Sequence, residues 1–428
     1  MTDNWTGREL QLQVGPVAHG GHCVARFEGR VVFVRHTLPG ERVVARVTED
    51  RGGSYCRADA VSVLAASPDR VEPPCPHARP GRCGGCDWQH ATPAAQRALK
   101  AAVVREQLAR LGGRSDVEVV VDEVPGGPLG WRSRMHFAVA DDGAVGLHRH
   151  RSAVVEPVEC CPIATPAVDE VGVTRRRWPG AVAVEVVASS AGDRALVVTP
   201  RPGAGPELPA LDVDDVAVLR RRVGRGGPDR VRGHRAVRER ALDRILRVGA
   251  AGFWQVHPAA PDVLSAAVLQ ALQPRAGESA LDLYSGVGVF AAAIAPLLEA
   301  GRLVAVESDG AAAKDAAFNL RDWAATTSVV TGSVREYLER RSPERVDLVV
   351  LDPPRAGAGA RVVAGIADQT PRAVAYVACD PAALARDVKT FAGHGYRLAS
   401  IRAFDLFPMT HHVECVALLT PDRPAPGG

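Results

Sequence analysis

From about residue 250 onward, apolar runs of strand length alternate with helical stretches, and this alternation restricts the possible folds more than any other feature. Strands are predicted at 279–284, 303–307, 328–331, 346–351 and 373–378. Helices are predicted between them, for example at 289–298 and 310–323. Such alternation predicts a doubly wound parallel sheet. The last two predicted strands, 397–404 and 413–419, have no helix between them, which indicates a terminal antiparallel hairpin.

The residues before this sheet predict two further parts. Residues 8–63 contain short alternating apolar strands with glycine-containing turns, the pattern of a small OB-like β-barrel. Residues 75–250 contain one clear helix, 93–111, and strand pairs that suggest hairpins. The expected domains are a β-barrel at 1–66, a central α+β domain at 67–250 and the doubly wound domain at 251–428.

Charge and hydropathy restrict the location and the partners. Only three of the 52 basic residues are lysine, which indicates a codon bias toward arginine. Residues 220–247 hold eleven arginines against three acids, so they form either a solvated charged loop or a surface that faces RNA. The N-terminus has no apolar signal segment, and no window approaches the ~20 apolar residues of a membrane span. We expect a cytoplasmic protein that acts as a monomer and has no membrane partner.

A glycine turn follows the first predicted strand of the doubly wound sheet, in DLYSGVGVF. Gly286 and Gly288 let the backbone turn tightly and approach a ligand. Glu307 ends the next strand, where a carboxylate can accept the hydroxyls of a ribose. S-adenosylmethionine carries a ribose and no pyrophosphate, so the short turn fits it better than NAD. A plain loop and an exposed strand-end glutamate are the alternatives.

Two further motifs follow strands at the carboxyl edge of the sheet. DPPR, from Asp352 to Arg355, stiffens a loop with two prolines and resembles the DPPY motif of amino-group methyltransferases. In YVACDP, Cys379 lies where Pro381 opens a helix with Asp380 as its N-cap. A helix N-terminus favours a thiolate, so Cys379 is the candidate nucleophile. The alternative is an ordinary buried cysteine.

Four cysteines, Cys75, Cys83, Cys86 and Cys161, have the spacing of a metal site. The Cys83-Gly-Gly-Cys86 turn lets two thiolates reach one metal, and four thiolates hold either tetrahedral zinc or a [4Fe–4S] cluster. Cys160 is the neighbour of Cys161, but Pro162 follows Cys161 directly, and we prefer Cys161 as the ligand. A structural role is expected, because the spacing differs from that of radical enzymes.

Together these motifs resemble the RNA uracil-C5 methyltransferase family over nearly the whole chain, with DPPRAG, YVACDPAALARD and FPMTHHVE in the family's order. The resemblance implies an N-terminal TRAM domain and a Rossmann-like class I methyltransferase domain. It implies that Cys379 is the nucleophile and Glu414 the base. It also implies that S-adenosylmethionine is lined by Gln255, Tyr284, Glu307 and Asp352, and that Cys75, Cys83, Cys86 and Cys161 hold a [4Fe–4S] cluster.

The implied reaction is methylation of C5 of a uridine in RNA through a covalent bond between Cys379 and C6. The N-terminal barrel favours ribosomal RNA, such as 23S rRNA, over transfer RNA. The alternatives are methylation of uridine 54 in tRNA and amino-group methylation of a base, which needs neither Cys379 nor Glu414. A third alternative is an RNA-binding protein without activity, although both the glycine turn and the thiol are present.

Overall fold

The computed structural model describes residues 4–205, 207–222, 227–340 and 345–422. In these residues the strands form three large sheets and one separate hairpin. No helix in these ranges is long and apolar enough to cross a membrane.

The first sheet is built by the N-terminal segment. Its strands are β1 (Glu9–Gln13), β2 (Cys23–Phe27), β3 (Arg30–Arg35), β4 (Arg42–Asp50) and β5 (Tyr55–Ala65). They lie in the order β1-β4-β5-β3-β2. Burial alternates along β1, where Leu10 and Leu12 are buried and their neighbours exposed, as the sequence predicts. Trp88, which follows this segment, also packs into its core.

The middle of the chain forms a second sheet and a hairpin. The elements are α1 (Pro93–Arg110), β6 (Val121–Asp122), β7 (Arg134–Val139), β8 (Val145–His148), β9 (Val155–Pro157), α2 (Pro166–Asp169), a 3₁₀ turn (Val173–Arg175), β10 (Ala181–Ala188), β11 (Arg194–Pro200), β12 (Val216–Arg220), β13 (Asp229–Arg232), β14 (Ala236–Ala241) and β15 (Arg244–Gly249). The sheet order is β13-β12-β11-β10-β7-β8-β9, and β14 pairs with β15. Both predicted hairpins, β7–β8 and β10–β11, are confirmed.

The C-terminal part contains an eight-stranded sheet. Its elements are α3 (Ala260–Leu272), β16 (Ala280–Leu283), α4 (Val289–Leu298), β17 (Leu303–Glu307), α5 (Gly310–Asn319), a 3₁₀ turn (Arg321–Trp323), β18 (Thr327–Thr331), α6 (Val334–Arg340), β19 (Leu348–Leu351), α7 (Ala360–Asp368), β20 (Ala373–Ala378), α8 (Pro381–Gly393), β21 (Tyr396–Phe404) and β22 (Glu414–Pro421). The order is β18-β17-β16-β19-β20-β22-β21-β6. Strands β16 to β20 are parallel, and the predicted terminal hairpin of β21 and β22 is confirmed.

The central strands of this sheet are buried on both faces. Every residue of β16, β19 and β20 is buried, which explains why these strands are continuous apolar runs. Two apolar clusters lie against the sheet, one including α8 and the other α3 and α4. The parallel strands therefore end together at one edge, where open α/β sheets bind ligands.

Two elements from the middle of the chain join the C-terminal part. Strand β6 extends the edge of the C-terminal sheet, where Val121 pairs with Ala403 in parallel, and α1 packs on α8. Neither contact is visible in the sequence pattern. Some contacts therefore cross the predicted division at residue 250. The domain bounds stay predictions.

Candidate active site

The candidate nucleophile and the candidate base lie at the ends of neighbouring strands. Antiparallel β20 and β22 pair Ala378 with Cys415. Cys379 is the next residue after β20, and Glu414 is the first residue of β22. One further step of the same register therefore faces Cys379 with Glu414. Glu414 is buried and Cys379 is partly buried, so the edge of the sheet carries a thiol beside a buried carboxyl.

Local structure fixes Cys379 at the start of α8. Asp380 Oδ1 accepts a 2.8 Å hydrogen bond from the Ala383 amide, and Pro381 occupies the first turn, so the predicted cap is confirmed. The other carboxylate oxygen of Asp380 lies 3.1 Å from His19 Nε2 in the N-terminal segment. The N-terminal part therefore reaches the residue next to the candidate nucleophile.

The charge state of Cys379 differs from the sequence-based expectation. Burial, followed by the carboxyl groups of Glu414 and Asp352, raises the pKa of Cys379 to about 11, and Arg355 offsets this only in part. The thiol is protonated at neutral pH in the free protein. Burial and the two neighbouring acids therefore shift Cys379 toward the neutral thiol, and not toward the thiolate expected from its place at the helix N-terminus.

The two carboxyl groups beside the thiol are also perturbed. Burial raises the pKa of Asp352 to about 7. Burial and the neighbouring Asp352 raise the pKa of Glu414 well above its usual value, and Arg355 lowers it in part. Two acids in one desolvated site share their protons, so one can be neutral while the other is charged. Such a pair suits proton transfer at neutral pH.

A buried carboxylate that the sequence analysis did not identify holds the DPPR loop. Asp387 Oδ2 accepts a 2.7 Å bond from the Ala358 amide and a 2.7 Å bond from the Tyr376 hydroxyl. Gly357 has a φ of +90°, and a Cβ atom there would lie 2.7 Å from Asp387 Oδ2. The glycine therefore allows the loop to close on Asp387. Asp387 is the last residue of the YVACDPAALARD motif, and its place in that motif is the signal by which it could have been identified.

The glycine turn is tied to the next strand by Glu307. Glu307 Oε2 accepts a 2.9 Å bond from the Gly286 amide, and Oε1 accepts a 2.6 Å bond from the Asp309 amide. Tyr284 and Gly286 both have positive φ, which gives the turn its shape. Each carboxylate oxygen keeps further acceptor capacity, so Glu307 can hold the turn and still accept from a ligand.

Asp282, in the same motif, is a second carboxyl group that the sequence analysis missed. Its Oδ2 atom accepts a 2.8 Å bond from the Ala291 amide, while Oδ1 is buried without a hydrogen-bond partner. Burial, and then the charges of Asp352 and Glu307, raise the pKa of Asp282 to about 7. The structure thus brings two of the predicted cofactor residues, Asp352 and Glu307, close to one buried acid behind the turn.

Gln255 lies in the loop between β15 and α3 and is partly buried. The central sheet holds this loop, because Ser133 donates to the Val256 carbonyl at 2.9 Å and Arg134 to the Gly252 carbonyl at 2.7 Å. Phe253 is 76% exposed in the same loop. The part of Gln255 in binding a cofactor stays a prediction.

The four cysteines of the predicted metal site line one cavity of about 160 Å³. Cys160 lines it too, but Cys160 is exposed whereas Cys161 is buried. Burial raises the pKa of Cys86, and it raises the pKa of Cys161 to about 11, so these thiols are neutral in the protein alone. Within the described ranges, no group of three or more His, Cys, Asp or Glu side chains is arranged to hold a metal ion. The metal site is therefore not shown.

The basic segment 220–247 is largely strand, so its interpretation as a solvated loop is wrong where the structure describes it. Several of its arginines are paired within the protein: Arg221 with Glu185, Arg238 with Asp193 and Arg247 with Asp315. Arg225 lies outside the described residues. The positive charge at this surface is smaller than the count of eleven arginines against three acids suggests, because acids from other elements pair with these arginines.

Comparison with protein families gives two matches. The model of the TRAM domain matches residues 5–61. The model described as tRNA (uracil-5-)-methyltransferase matches residues 261–422 and includes Cys379 and Glu414.

Relatives match the chain over nearly its full length. An uncharacterized RNA methyltransferase from Streptomyces coelicolor is 53% identical, over 97% of this chain and 93% of the relative. The 23S rRNA (uracil(1939)-C(5))-methyltransferase RlmD from Chromohalobacter salexigens is 34% identical, over 96% and 90%. The fold is similar to that of the Pyrococcus abyssi tRNA (uracil-54, C5)-methyltransferase, solved with S-adenosyl-L-homocysteine. Its TM-score is 0.73 and its identity 24%, over 96% of this chain and all of that one.

Proposed function

Because the chain belongs to the RNA uracil-5-methyltransferase family, it is an enzyme that methylates C5 of uracil in RNA, and we propose that its substrate is 23S ribosomal RNA. We further propose that the reaction proceeds through a covalent bond to Cys379, and the observation that carries this mechanism is the register of β20 and β22, which faces Cys379 with Glu414 at the edge where open α/β sheets bind ligands. A thiol and a base on either side of one site are the two groups that this reaction requires.

We propose S-adenosylmethionine as the methyl donor, because the glycine turn and Glu307 fit a ligand with a ribose. When bound, it supplies a methyl group on a positively charged sulfonium. Glu307 accepts from the ribose, while Tyr284, Gln255 and Asp352 line the rest of the ligand. The buried, unpartnered oxygen of Asp282 indicates that this part of the protein is built for a polar group.

The nucleophilic step begins at Cys379. The sulfur adds to C6 of uracil, and the π electron pair of the C5–C6 double bond moves toward C5. C5 then takes the methyl group, and the electrons of the broken sulfur–methyl bond stay on the donor, which leaves as a neutral thioether. Burial and the two acids raise the pKa of Cys379, so a positive charge brought next to it favours loss of the thiol proton to solvent. Arg355 already acts in that direction, and the sulfonium of the donor adds to it.

Glu414 completes the reaction as a general base. Its carboxylate removes the proton of C5, the electron pair restores the C5–C6 double bond, and the sulfur leaves C6 as thiolate. A raised pKa makes Glu414 a stronger base than an ordinary glutamate, which suits removal of a proton from carbon. The target base must leave any stacked helix to reach Cys379.

We propose that Cys75, Cys83, Cys86 and Cys161 hold a structural [4Fe–4S] cluster, with zinc as the alternative. What supports this proposal is that all four thiols line the same cavity, and that four deprotonated cysteines are the ligand set of such a cluster. The reaction does not pass through this site.

The preference for 23S rRNA rests on the relative that is 34% identical over nearly the whole chain. The N-terminal sheet would supply contacts to the RNA backbone that weaken with salt. The second candidate is uridine 54 of tRNA, named for a protein of similar fold at lower identity. We also propose that the enzyme acts in the cytoplasm, where its RNA substrate is found, and that it does so as a monomer.

Methylation of purified RNA tests the proposal. The enzyme is incubated with S-adenosylmethionine and either unmodified 23S rRNA or unmodified tRNA, and 5-methyluridine is mapped by mass spectrometry. We expect 5-methyluridine in 23S rRNA, and none with Cys379→Ala. Methylation of tRNA alone would contradict the rRNA assignment. An N-methylated base formed equally by Cys379→Ala would instead indicate an amino-group methyltransferase.

A further inference from the structure

The loop between β21 and β22, residues 405–413, leads directly into the base Glu414 and is anchored on the segment that follows Cys86. The amides of Asp87 and Trp88 both donate to the Met409 carbonyl at 3.0 Å. The Met409 amide donates to Gln96 Oε1 at 2.7 Å. Met409 has a φ of +69°, a conformation that a non-glycine residue keeps only when its surroundings hold it.

The side chain of Asp87 makes a second attachment to this loop. Asp87 Oδ2 accepts a 3.1 Å bond from the His411 amide and lies 2.6 Å from His411 Nδ1. The Asp87 side chain is only 13% exposed, and Arg35 from β3 lies 4.0 Å from its other oxygen. One carboxylate oxygen thus fixes both the backbone and the ring of a residue three positions before Glu414.

The N-terminal part also packs against His411. A Cβ atom added at Gly21 would lie 2.8 Å from His411 Cβ and 3.3 Å from Asp87 Cβ, so the backbone there packs closely on both side chains near their Cβ atoms. The Trp88 indole donates to the Gly21 carbonyl at 3.0 Å. His411 is therefore hydrogen-bonded to Asp87, and both side chains pack against the Gly21 turn.

We propose that Asp87 is a positioning residue for Glu414. Asp87 acts through His411, and it connects the cysteine cavity to the base. The inference rests on the proposed function, because it assumes that Glu414 removes the C5 proton. Asp87 follows Cys86 directly, so any change of the backbone at Cys86 moves the carboxylate that fixes His411. The loop then transmits the change to Glu414 at the start of β22.

This arrangement predicts which step fails when the attachment is lost. Addition of the Cys379 sulfur to C6 and methylation of C5 do not require Glu414. Glu414 is required for removal of the C5 proton and for the cleavage of the C6–S bond that follows. A misplaced Glu414 therefore leaves the RNA bound to Cys379 through its methylated uracil, and this adduct survives denaturing electrophoresis.

The test compares Asp87→Ala, His411→Ala and the double variant with wild type and with Glu414→Gln. RNA–protein adduct is measured on denaturing gels after a single turnover, together with kcat and KM for RNA. We expect adduct to accumulate in all three variants, with kcat about 10-fold lower and KM changed by less than about twofold. The double variant should be no worse than the more affected single variant, because both act on one contact. Asp142→Ala, which removes an exposed partner of Arg177, is the matched control and should behave as wild type.

Two outcomes distinguish a failure of the role of Glu414 from a failure of the positioning role. If Glu414→Gln forms no adduct, the assigned role of Glu414 fails, and this inference fails with it. If Glu414→Gln forms adduct but His411→Ala stays at the wild-type level, only the positioning role is overturned. His411→Ala tests the positioning role even if Asp87→Ala disturbs the adjacent cysteines, because His411 is far from them in sequence. The metal content of His411→Ala should equal that of wild type.

Discussion

The Tyr376 hydroxyl donates a 2.7 Å hydrogen bond to the Asp387 carboxylate, beneath the loop that carries Asp352 and Arg355. Tyr376 is fully buried in β20, and Asp387 lies on α8. Strand, helix and loop therefore meet at one carboxylate.

Replacement of Tyr376 by Phe removes this bond while the ring keeps its place. We expect the free energy of unfolding to fall by about 1.5–3 kcal/mol, the usual range for a hydrogen bond to a charged group. Urea denaturation measures the change. Tyr396→Phe is the control for a tyrosine hydroxyl bonded to a neutral carbonyl, that of Pro371, and should cost less. An equal loss in both variants would contradict the role of Asp387.

Glu414→Gln should stop the reaction after methyl transfer, because the amide cannot remove the C5 proton. We expect a covalent protein–RNA species on denaturing gels and a kcat lowered by about 10²–10⁴-fold, the range for loss of a general base. The double variant with Cys379→Ala should form no such species. A Glu414→Gln enzyme that turns over like wild type would exclude Glu414 as the base.

Cys379 should react slowly with alkylating agents at neutral pH. Its pKa is raised to about 11, so the thiolate fraction, and with it the rate, should increase about tenfold for each pH unit from about pH 7 to about pH 10. Peptide mass spectrometry after iodoacetamide treatment measures the rate at this cysteine alone. A rate that is already constant above about pH 8 would show a stabilised thiolate in the free protein. Addition of a positively charged methyl-donor analogue should shift the profile to lower pH.

Glu307→Gln should weaken binding of S-adenosylmethionine. The amide can still accept from the Gly286 amide, but it loses the charge that strengthens bonds to ribose hydroxyls. We expect the Kd, measured by calorimetry, to rise about 10-fold, and more with Glu307→Ala. Asp322→Ala removes an exposed partner of Arg244 and is the matched control. An unchanged Kd in Glu307→Ala would place the ribose elsewhere.

Metal content distinguishes the two adjacent cysteines. After anaerobic purification we expect iron and sulfide in the wild type, with a loss in Cys161→Ser and no loss in Cys160→Ser. The reason is that Cys161 is buried in the cavity whereas Cys160 is exposed. Elemental analysis and the visible absorption spectrum measure this. Zinc without colour would exclude the cluster, and loss of metal in Cys160→Ser alone would reverse the choice of ligand.

Local signals predicted most of the C-terminal sheet. Residues 373–378 were predicted as a strand and form β20, because a strand buried on both faces must be apolar throughout. Asp380 was predicted as a cap, since capping depends on neighbours in sequence. β6 could not be predicted, because two residues carry no periodicity and its partner Ala403 is 282 residues after Val121.

In the candidate site, too, local motifs were predictable and contacts between distant residues were not. Cys379 and Glu414 were found from motifs, but the charge state of Cys379 was not, because it depends on acids from other strands. The contact between Asp87 and His411 joins residues 324 positions apart and leaves no local pattern. The ion pairs of Arg221, Arg238 and Arg247 could not be predicted for the same reason, since their partners Glu185, Asp193 and Asp315 lie far away in sequence.

The pairing of β6 with β21 also has a consequence for synthesis of the chain on the ribosome. Val121 is made 282 residues before Ala403, an interval of roughly 14–56 s at about 5–20 residues per second. Throughout that interval β6 has no partner strand, and for most of it α1 has no α8 to pack against. The sheet edge closes only when translation is almost finished. A nascent chain that stalls before β21 thus leaves β6 without the strand that it pairs with.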